Sequence, residues 1–426
     1  MSWSQQIQVL SRVGSHAREP AAWDPPPLEI LDLLSLSTLD EGCAVKKRLL
    51  ITLTFPPDTG GMQSFAHQRC LRAGDEPVVL APWHTGSAEF DAAQPFPVLR
   101  WRPFLGNVPG LKRIGQLWQP LLLARRLLQQ ESFDAVECWQ PLPLGLTAWL
   151  LKRTYRLPVI IWSHGSDLLR VQRIPGGRAV LRWTLSHADG LIANSMATRL
   201  QMERLGQDPA RIRVIHPPVE HERFHPDVDP TPIRERHAIG GAPLILTVAR
   251  LVEKKGIDMV LRALPSILRA VPEVRYLIVG DGPLRPQLQA LARELGVARQ
   301  VLFVGAVEHH RPDLPRYYSA CDVYVMPSRS LPGPGEVESF GVSYLEAGAC
   351  GKPVVAGRGG GVEEAVEDEV TGLLVDPLDV NEIAQAIVKV LKDGELARRL
   401  GENGRKRAAK QPAWDLLFET CSHHLN

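Results

Sequence analysis

The sequence lacks the features of a membrane-spanning or secreted protein. None of its apolar runs reaches 18 residues, the length at which a helix can cross a bilayer. Its first ten residues, MSWSQQIQVL, have neither the basic start nor the apolar centre of a secretory signal. We therefore expect a cytoplasmic protein.

Disulfide and zinc frameworks are also missing from the sequence. The six cysteines are widely scattered and none forms a C-x-x-C pair, which predicts reduced thiols in the core. The two His-His pairs, at 309–310 and 423–424, do not have the spacing of metal ligands. We expect no zinc site.

The overall composition is that of an average soluble globular protein. Hydrophobic residues make up 44% of the chain and charged residues 23%, and 49 basic against 47 acidic side chains leave a net charge of +2. These values exclude the disordered, collagen-like and coiled-coil classes. A chain of 426 residues exceeds one compact core and predicts two or three domains.

Charge is distributed unevenly along the chain. Residues 1–45 carry 2 basic and 6 acidic side chains (net −4), residues 46–226 carry 23 and 14 (net +9), and residues 227–426 carry 24 and 27 (net −3). From Ala92 to Gln130 there are six basic side chains and no acidic one. This stretch is either an ordinary solvated face or a surface for anionic partners such as lipid headgroups or phosphates.

The order of apolar and amphipathic segments predicts an α/β fold. Short apolar runs typical of buried strands occur at 48–53, 77–81, 134–137, 158–162, 189–193, 212–215, 243–249, 274–279, 301–304, 322–326, 353–356 and 372–375. Amphipathic stretches typical of helices include 61–73, 110–130, 143–155, 196–204, 256–270, 283–295, 342–350 and 379–392. This alternation predicts two Rossmann-like domains with parallel sheets, facing each other across a cleft.

Changes in composition along the chain divide it into four regions. We expect residues 1–45 to be a disordered extension and 46–226 to be an acceptor-binding Rossmann-like domain. A proline-rich linker begins at His216. Residues 227–410 are predicted to bind a nucleotide sugar, and 411–426 to form a C-terminal helix that packs back on the first domain.

The strongest constellation of candidate site residues lies at 338–346. Glu338 precedes a predicted helix and Glu346 lies within it, roughly 12 Å further along the axis at about 1.5 Å per residue. This distance is too long for an acid/base pair and suits the two ends of one elongated ligand. The backbone amides between them belong to Ser339, Phe340, Gly341 and Val342, where a helix N-terminus favours a phosphate. Two solvated glutamates on a surface helix are the alternative.

A second constellation follows the first strand of the second domain. Arg250 and Lys255 lie in the loop that leads to the next helix. Such loops face the ligand crevice in open α/β sheets, so both cations could converge on a diphosphate. Solvated loop charges are the alternative interpretation.

Glycine-rich loops offer close backbone approach at two further places. Gly60-Gly61 follows the first strand of the first domain, and glycines 359–361 lie between a strand and a helix of the second. For each loop taken alone, an ordinary turn is the alternative. The stretch Val279–Pro283 begins like a dinucleotide fingerprint but has Arg285 where the third glycine is required. Nicotinamide and flavin cofactors are therefore not expected.

Together these residues resemble the group 1 (family 4) retaining glycosyltransferases of the two-domain B-type fold. The resemblance covers about 48–420, and its most specific parts are the Glu338/Glu346 motif, Arg250 with Lys255, and the Gly60-Gly61 loop. The stretches 55–64 and 321–365 look most like the phosphatidylinositol mannosyltransferase branch.

The resemblance implies a role for each candidate residue. Glu346 would bind the donor's ribose hydroxyls, and Glu338 the hydroxyls of the transferred sugar, helped by the neighbouring amides. Arg250 and Lys255 would neutralise the leaving nucleoside diphosphate.

Three further residues receive roles from the same resemblance. Gly61 would approach the diphosphate from the other domain, beside Gly60. His164, after a predicted strand, matches the family's active-site histidine near the sugar. Backbone groups near Gly305 would recognise the base. The predicted catalytic set is His164, Glu338, Arg250 and Lys255.

The implied reaction moves a hexose, with mannose favoured, from a nucleotide-diphosphate sugar to a membrane lipid or lipid-linked glycan. Charge on the departing phosphate would be stabilised by the two cations, so no divalent metal and no cofactor are expected. An anionic membrane surface is an expected partner, since the 110–130 stretch places Trp118 and Leu121 beside basic residues. Pro120 is expected to interrupt this stretch, and packing of its apolar face in the core is the alternative. Nucleic acid is not an expected partner, because no recognisable binding module is present.

Three rival interpretations stay open at the level of sequence. The first is a UDP-hexose-dependent enzyme of exopolysaccharide synthesis. The second is a non-hydrolysing nucleotide-sugar epimerase, which would convert the donor without an acceptor. The third is a non-catalytic nucleotide-sugar-binding scaffold. One departure from the family pattern, His216-Pro217-Pro218 at the interdomain segment, puts the amplitude of domain closure in doubt.

Overall fold

A computed structural model describes residues 47–58, 60–102, 109–308, 311–331 and 337–410, and the side chains of 109–114 are not part of that description. All described residues belong to one compact unit that begins at Val45. The predicted extension 1–45 and the predicted C-terminal helix 411–426 lie outside the described residues.

The described residues form two parallel sheets. The strands of the first sheet are β1 (Lys47–Ile51), β2 (Glu76–Pro82), β3 (Val98–Trp101), β4 (Ala135–Cys138), β5 (Val159–Ser163), β6 (Gly190–Ala193) and β7 (Ile212–Val214). Those of the second are β8 (Leu244–Val248), β9 (Arg275–Val279), β10 (Val301–Gly305), β11 (Val323–Met326), β12 (Val354–Gly357) and β13 (Gly372–Val375). The sheet orders are β3-β2-β1-β4-β5-β6-β7 and β10-β9-β8-β11-β12-β13.

Each sheet therefore has a point where the strand order reverses. The reversal lies between β1 and β4 in the first sheet and between β8 and β11 in the second. In open α/β sheets, ligands bind outside the carboxyl ends of the strands at such a point. The loops after β1 and β8 hold Gly60-Gly61 and Arg250, so the topology places both sequence-predicted loops at these positions.

Helices cover both faces of each sheet. In the first domain they are α1 (Gly61–Arg72), α2 (Ser87–Ala92), α3 (Pro109–Leu128), α4 (Leu144–Tyr155), α5 (Ser166–Val171), α6 (Gly177–Ser186) and α7 (Met196–Arg204). After α8 (Thr231–Arg236) in the linker come α9 (Ile257–Ala270), α10 (Arg285–Glu294), α11 (Asp313–Ala320), α12 (Val342–Ala349), α13 (Val362–Ala365), α14 (Val380–Lys392) and α15 (Gly394–Ala408). The predicted α/β fold with two Rossmann-like domains is confirmed.

Continuous apolar strands explain this architecture. Leu49 and Ile51 point into the core on one face of the first sheet, and Leu50 into the core on the other. In the second sheet Ile245 faces one core while its neighbours Leu244 and Leu246 face the other. Successive side chains of a strand alternate between faces, so a run that is apolar throughout must be covered on both sides.

Two local predictions need correction. The sequence pattern missed β3, an edge strand of four residues that follows Pro95 and Pro97 and, among the described strands, pairs with β2 alone. Pro120, expected to interrupt the 110–130 stretch, instead lies inside the continuous helix α3. Proline removes a hydrogen bond from the preceding turn. In that turn the Thr147 hydroxyl of α4 donates to the Leu117 carbonyl at 3.0 Å, which offers the loosened backbone a partner.

The first domain also contains a buried cluster of charges. Arg69 donates to Asp75 at 2.8 and 2.5 Å and to Glu137 at 3.0 Å, and Arg48 lies 3.1 Å from Glu137. The Trp162 indole donates to Glu137 at 3.1 Å. Burial opposes ionisation of Glu137, but Arg69 and Arg48 outweigh it and hold the pKa of that carboxyl below its usual range. The positive charges of Arg48 and Arg69 therefore balance the negative charges of Asp75 and Glu137 inside this core.

Four of the six cysteines lie among the described residues, and these four are buried as predicted. Cys70, Cys138, Cys321 and Cys350 are free and buried. Burial raises the pKa of each thiol, so all four stay protonated and unreactive near neutral pH.

Candidate active site

The loop after β8 holds the two predicted cations of the second domain. Arg250 is exposed, and its guanidinium has no hydrogen bond or ion pair among the described residues. Lys255 lies in a short 3-10 turn, Glu253–Lys255, that ends at Gly256. Gly256 has φ 68°, and a Cβ there would lie 2.1 Å from the Pro327 carbonyl oxygen, so glycine is required for this turn to pack against the end of β11.

Lys255 forms an ion pair with Glu338. Their Nζ and Oε2 atoms are 2.6 Å apart, and both side chains are largely buried. Burial works against the charged carboxylate, but Lys255 and Lys254 outweigh it and hold the pKa of Glu338 below its usual range. The structure therefore brings together two residues that the sequence predicted separately, and keeps Glu338 ionised.

Glu346 lies deeper in the second domain. It is buried on α12, and the Tyr318 hydroxyl donates to its Oε2 at 2.6 Å. Burial and this carboxylate raise the pKa of Tyr318, so the tyrosine remains a hydrogen-bond donor. The Tyr318 bond fixes one oxygen of Glu346 and orients the carboxylate.

Helix α12 begins at Val342, so Glu338 precedes it by four residues. Residues 338–341 are not helical, so the helical rise that predicts the Glu338–Glu346 separation does not apply to them. Gly341 is the N-cap with φ 95°, and a Cβ there would lie 2.4 Å from the Tyr344 ring. The predicted helix itself is confirmed.

Two of the three glycines of the second domain, Gly360 and Gly361, pack against the Glu338 loop. The Gly361 amide donates to the Glu338 carbonyl at 2.9 Å. A Cβ at Gly360 would lie 2.5 Å from that carbonyl oxygen, and one at Gly361 would lie 1.9 Å from the Ser339 oxygen. These glycines therefore support the backbone of the Glu338 loop.

The first domain approaches the same loop from across the cleft. A Cβ on Gly61 would lie 3.8 Å from Val342 Cγ2, and one on Gly165 would lie 2.3 Å from Ser339 Oγ. Gly60 has φ 153°, in the region that favours glycine, and precedes the first residue of α1. The two domains thus meet where the predicted site residues of each are found.

His164 directly follows the strand β5 and is buried beside this contact. Its ring stacks on Trp139 with centroids 5.2 Å apart, and its buried Nε2 has no partner among the described residues. Burial lowers the pKa of His164 to about 4, opposed by a hydrogen bond to the Trp139 backbone. His164 is therefore neutral at pH 7 and presents one unsatisfied ring nitrogen.

The loop that follows is held by Asp167. Its carboxylate accepts from the His164 amide at 3.0 and 3.1 Å and from the Leu168 amide at 2.9 Å. Burial raises the pKa of Asp167 to about 6, although these amide hydrogen bonds oppose the change. This arrangement fixes the position of the histidine.

Gly305 lies at the end of β10 with φ 96°. Its carbonyl accepts from the Gly280 amide at 2.7 Å. A Cβ at Gly280 would lie 1.9 Å from the Ala249 oxygen, and one at Gly282 would lie 2.5 Å from the Leu251 oxygen. The glycines of the partial fingerprint therefore support the loop that carries Arg250.

Sequence reasoning missed several residues that shape the site. Lys254 donates to the Val337 carbonyl at 3.1 Å, and Arg329 pairs with Asp258 at 3.1 Å beneath the same loop. Glu364 and His216 lie at the contact between the domains. Lys254 had a usable signal in its position beside Lys255, and His216 had one in its departure from the family pattern.

No helix of the described residues is both long enough and apolar enough to cross a membrane. Within the same part of the chain, no group of three or more His, Cys, Asp or Glu side chains is arranged to hold a metal ion.

Comparisons with known proteins decide the family. The family model described as "Glycosyl transferases group 1" matches residues 229–407, and that of "Glycosyltransferase Family 4" matches residues 60–223. The chain is 35% identical over 374 residues to the GDP-mannose-dependent alpha-(1-6)-phosphatidylinositol monomannoside mannosyltransferase of Mycolicibacterium smegmatis, covering 86% of this chain and 94% of that one. The chain belongs to the group 1 glycosyltransferases.

Two further similarities complete the comparison. A D-inositol 3-phosphate glycosyltransferase of Mycobacterium sp. is 35% identical over 375 residues, covering 80% of each chain. Among solved structures, the sucrose-phosphate synthase of Thermosynechococcus elongatus is similar with a TM-score of 0.72 and 25% identity, covering 87% of this chain and 96% of that one. The predicted resemblance and fold are confirmed, and this glycosyltransferase has the cleft expected of its family.

Proposed function

We propose that this glycosyltransferase moves mannose from GDP-mannose, with retention of anomeric configuration, to a phosphatidylinositol-type glycolipid. The observation that carries the proposal is the Lys255–Glu338 ion pair at 2.6 Å, whose lysine lies on the same loop as the exposed Arg250. A site with one paired and one unpaired cation suits a dianionic diphosphate attached to a neutral sugar. The M. smegmatis relative supports the donor and the acceptor class.

In this proposal the second domain holds the donor. Glu346 binds the ribose hydroxyls, and Glu338 binds the hydroxyls of mannose together with amides of residues 339–342. Arg250 and Lys255 neutralise the diphosphate, and backbone groups near Gly305 contact the base. The orientation of Glu346 by Tyr318 supports the first of these roles.

The first domain closes over the donor from the other side. Gly61 admits the diphosphate, because the absence of a side chain leaves its backbone accessible. His164, neutral at pH 7, directs its unsatisfied Nε2 to a sugar hydroxyl. A neutral imidazole can accept or donate one hydrogen bond there without adding charge.

The chemistry follows from these groups. Positive character builds at the anomeric carbon as the bond to the diphosphate lengthens, and negative charge collects on the departing oxygen. Arg250 and Lys255 stabilise that charge. Glu338 is held by Lys255, so we assign it to binding, and the acceptor hydroxyl attacks from the face that the diphosphate leaves. The departing phosphate takes the proton, and no divalent metal is required.

The acceptor side is proposed to lie on an anionic membrane, with the enzyme peripheral on the inner face of the cytoplasmic membrane. Trp118 and Leu122 on α3 are 50% and 56% exposed, while Leu121 faces the core. The neighbouring helix α4 places Trp149 against Trp183 of α6, with ring centroids 5.0 Å apart.

Basic residues surround these aromatic side chains. Residues 168–188 contain four arginines and no acidic residue, and Arg178 and Arg182 on α6 are exposed. Arg125 and Arg126 are exposed at the end of α3. Aromatic and basic side chains on one helical layer are the combination that binds anionic lipid surfaces.

A direct transfer assay tests the proposed donor and acceptor. Radiolabelled GDP-mannose, UDP-glucose and UDP-N-acetylglucosamine are each supplied with phosphatidylinositol mannoside in vesicles, and Lys255→Ala serves as the inactive control. We expect α-linked mannolipid from GDP-mannose alone. Transfer only from a UDP-sugar would overturn the donor, and donor conversion without an acceptor would indicate an epimerase.

A second candidate acceptor is favoured by one similarity. The relative from Mycobacterium sp. is named for D-inositol 3-phosphate, which shares the inositol phosphate group but has no lipid chain. The same assay with soluble inositol 3-phosphate separates the two. Transfer to the soluble acceptor at least tenfold faster than to the lipid would replace the lipid proposal.

Vesicle flotation tests the membrane surface. The double substitution Trp118→Ser and Leu122→Ser is expected to weaken binding at least fivefold to vesicles that contain about 30% anionic lipid. Two exposed apolar groups would no longer enter the membrane interface. Leu378→Ser is the matched control, because Leu378 is 66% exposed on the second domain. Equal binding of both variants would contradict the proposed surface.

A further inference from the structure

One acidic side chain of the second domain crosses to the first. Glu364 lies on the short helix α13, directly after the three glycines. The Met196 amide donates to its Oε2 at 2.7 Å, and the Ala197 amide donates to its Oε1 at 3.0 Å. These are the first two amides of α7, which have no partner within the helix and carry its positive dipole end.

The same carboxylate is tied to the donor loop through His216. The His216 Nε2 lies 3.0 Å from Glu364 Oε2, and the imidazole stacks on Phe340 with centroids 5.1 Å apart and planes at 15°. The histidine that departs from the family pattern therefore contacts both the carboxylate and a residue beside Glu338.

A second connection runs through the backbone. The Gly361 amide donates to the Glu338 carbonyl at 2.9 Å, three residues before Glu364. Arg407 anchors the other end of α13, donating to the Glu364 carbonyl and to the Ala365 carbonyl at 3.1 Å. Glu364 is thus attached to the Glu338 loop on one side and to the first domain on the other.

We propose that Glu364 is a positioning residue that couples closure of the cleft to placement of the Glu338 loop. In the closed arrangement the α7 amides hold the carboxylate, and α13 with its glycines then holds the loop against the donor. Opening the cleft breaks both amide hydrogen bonds and releases the loop. This inference rests on the proposed role of residues 338–342 in donor binding.

Steady-state kinetics test the coupling. Glu364→Ala is expected to lower kcat about 30-fold while the KM for the nucleotide sugar changes less than threefold, because Arg250 and Glu346 still bind the donor whereas closure and placement of the Glu338 loop are disfavoured. Glu364→Gln retains one acceptor oxygen and is expected to lose about fivefold. Glu363→Gln, an exposed neighbour on the same helix, is the matched control and should keep wild-type rates.

A distance measurement separates this inference from the proposed function. Spin labels at Ser186→Cys and Leu378→Cys, with Cys43→Ser and Cys421→Ser, report the interdomain distance with and without GDP or UDP. We expect Glu364→Ala to shift the distribution to longer distances with either nucleotide, whichever sugar the enzyme transfers. An unchanged distribution, or a kcat within twofold of wild type, would overturn the coupling.

Discussion

The two domains use charge in opposite ways. In the first, Arg48, Arg69 and Glu137 are buried with Asp75, and two cations balance two anions. In the second, Lys255 pairs with Glu338 at the cleft while Arg250 beside them has no partner among the described residues. A balanced cluster serves the fold, because removing one member leaves a buried charge. An unbalanced cluster leaves a cation available for an anionic ligand.

Removal of Lys255 should disrupt the charged cluster of the second domain and have the largest effect of the substitutions proposed. In Lys255→Ala the leaving diphosphate loses a preorganised cation, and Glu338 loses its partner. We expect kcat/KM to fall about 10³-fold, or roughly 4 kcal/mol of transition-state stabilisation. The thermal midpoint should also fall, because Glu338 is largely buried and is left without its ion-pair partner.

The matched control for this kinetic measurement is Lys389→Ala. Lys389 is exposed on α14, and its loss should leave kcat/KM within twofold of wild type. A loss below tenfold in Lys255→Ala would mean that the cation is not part of the leaving-group site.

Glu137 tests the first cluster. Glu137→Gln leaves Arg48 and Arg69 with one fewer anion in a fully buried position, so the free energy of unfolding should fall by about 3 kcal/mol. Urea unfolding measures this loss, and the kcat of the folded enzyme should stay near wild type.

An exposed ion pair, Lys47 with Glu131, allows the cost of losing a buried carboxylate to be compared with that of losing an exposed one. Glu131 lies 2.7 Å from Lys47 with 44% of its side chain exposed, so Glu131→Gln should cost less than about 1 kcal/mol. Equal losses from the two variants would show that burial of the first cluster has no energetic consequence.

The sequence predicted the fold well because parallel strands carry a strong local signal. Each of the twelve predicted strands has a counterpart in the structure, since both faces of a buried strand must be apolar. The edge strand β3 was missed because Arg100 and the flanking prolines dilute that signal. Because β3 lies at the edge of the sheet, a charged side chain and nearby prolines are tolerated there.

The candidate site was predicted only as far as its residues lie in recognisable loops. Arg250, Lys255 and Glu338 fall in such loops, but the pairing of Lys255 with Glu338 depends on a fold that joins positions 83 residues apart. Glu364 was missed because two adjacent glutamates are typical of a solvated turn. The charged cluster of Arg69 and Glu137 was missed because nothing local shows that its members meet.

His164 differs from both charged clusters, because it is buried in its neutral form without a charged partner among the described residues. The unfolded chain binds a proton on this residue near pH 6.5, but the folded protein does so only near pH 4. Between these values the unfolded state holds more protons, so this residue makes stability fall as the pH drops. The contribution should amount to about 2 kcal/mol between pH 6.5 and 5.

Urea unfolding of His164→Asn at pH 7 and pH 5 measures this contribution, and the variant should lose less stability than wild type. Asp167 acts in the opposite direction, because its folded pKa of about 6 exceeds its ordinary value of 3.8. Asp167→Asn should therefore lose more stability than wild type over the same interval. Identical losses in all three proteins would contradict the buried, neutral state of His164.

The smallest expected effect is that of a chelator, and it examines the unbalanced cluster directly. If Arg250 and Lys255 supply the positive charge that the diphosphate requires, then EDTA should change kcat/KM less than twofold, and added Mg²⁺ should not restore Lys255→Ala. The measurement is mannosyl transfer by the wild type and this variant, each with EDTA and with Mg²⁺. A tenfold loss with EDTA would show that the two cations are insufficient. The unpaired Arg250 would then help to bind a metal–diphosphate complex. The comparison of the two charged clusters would have to include that metal ion.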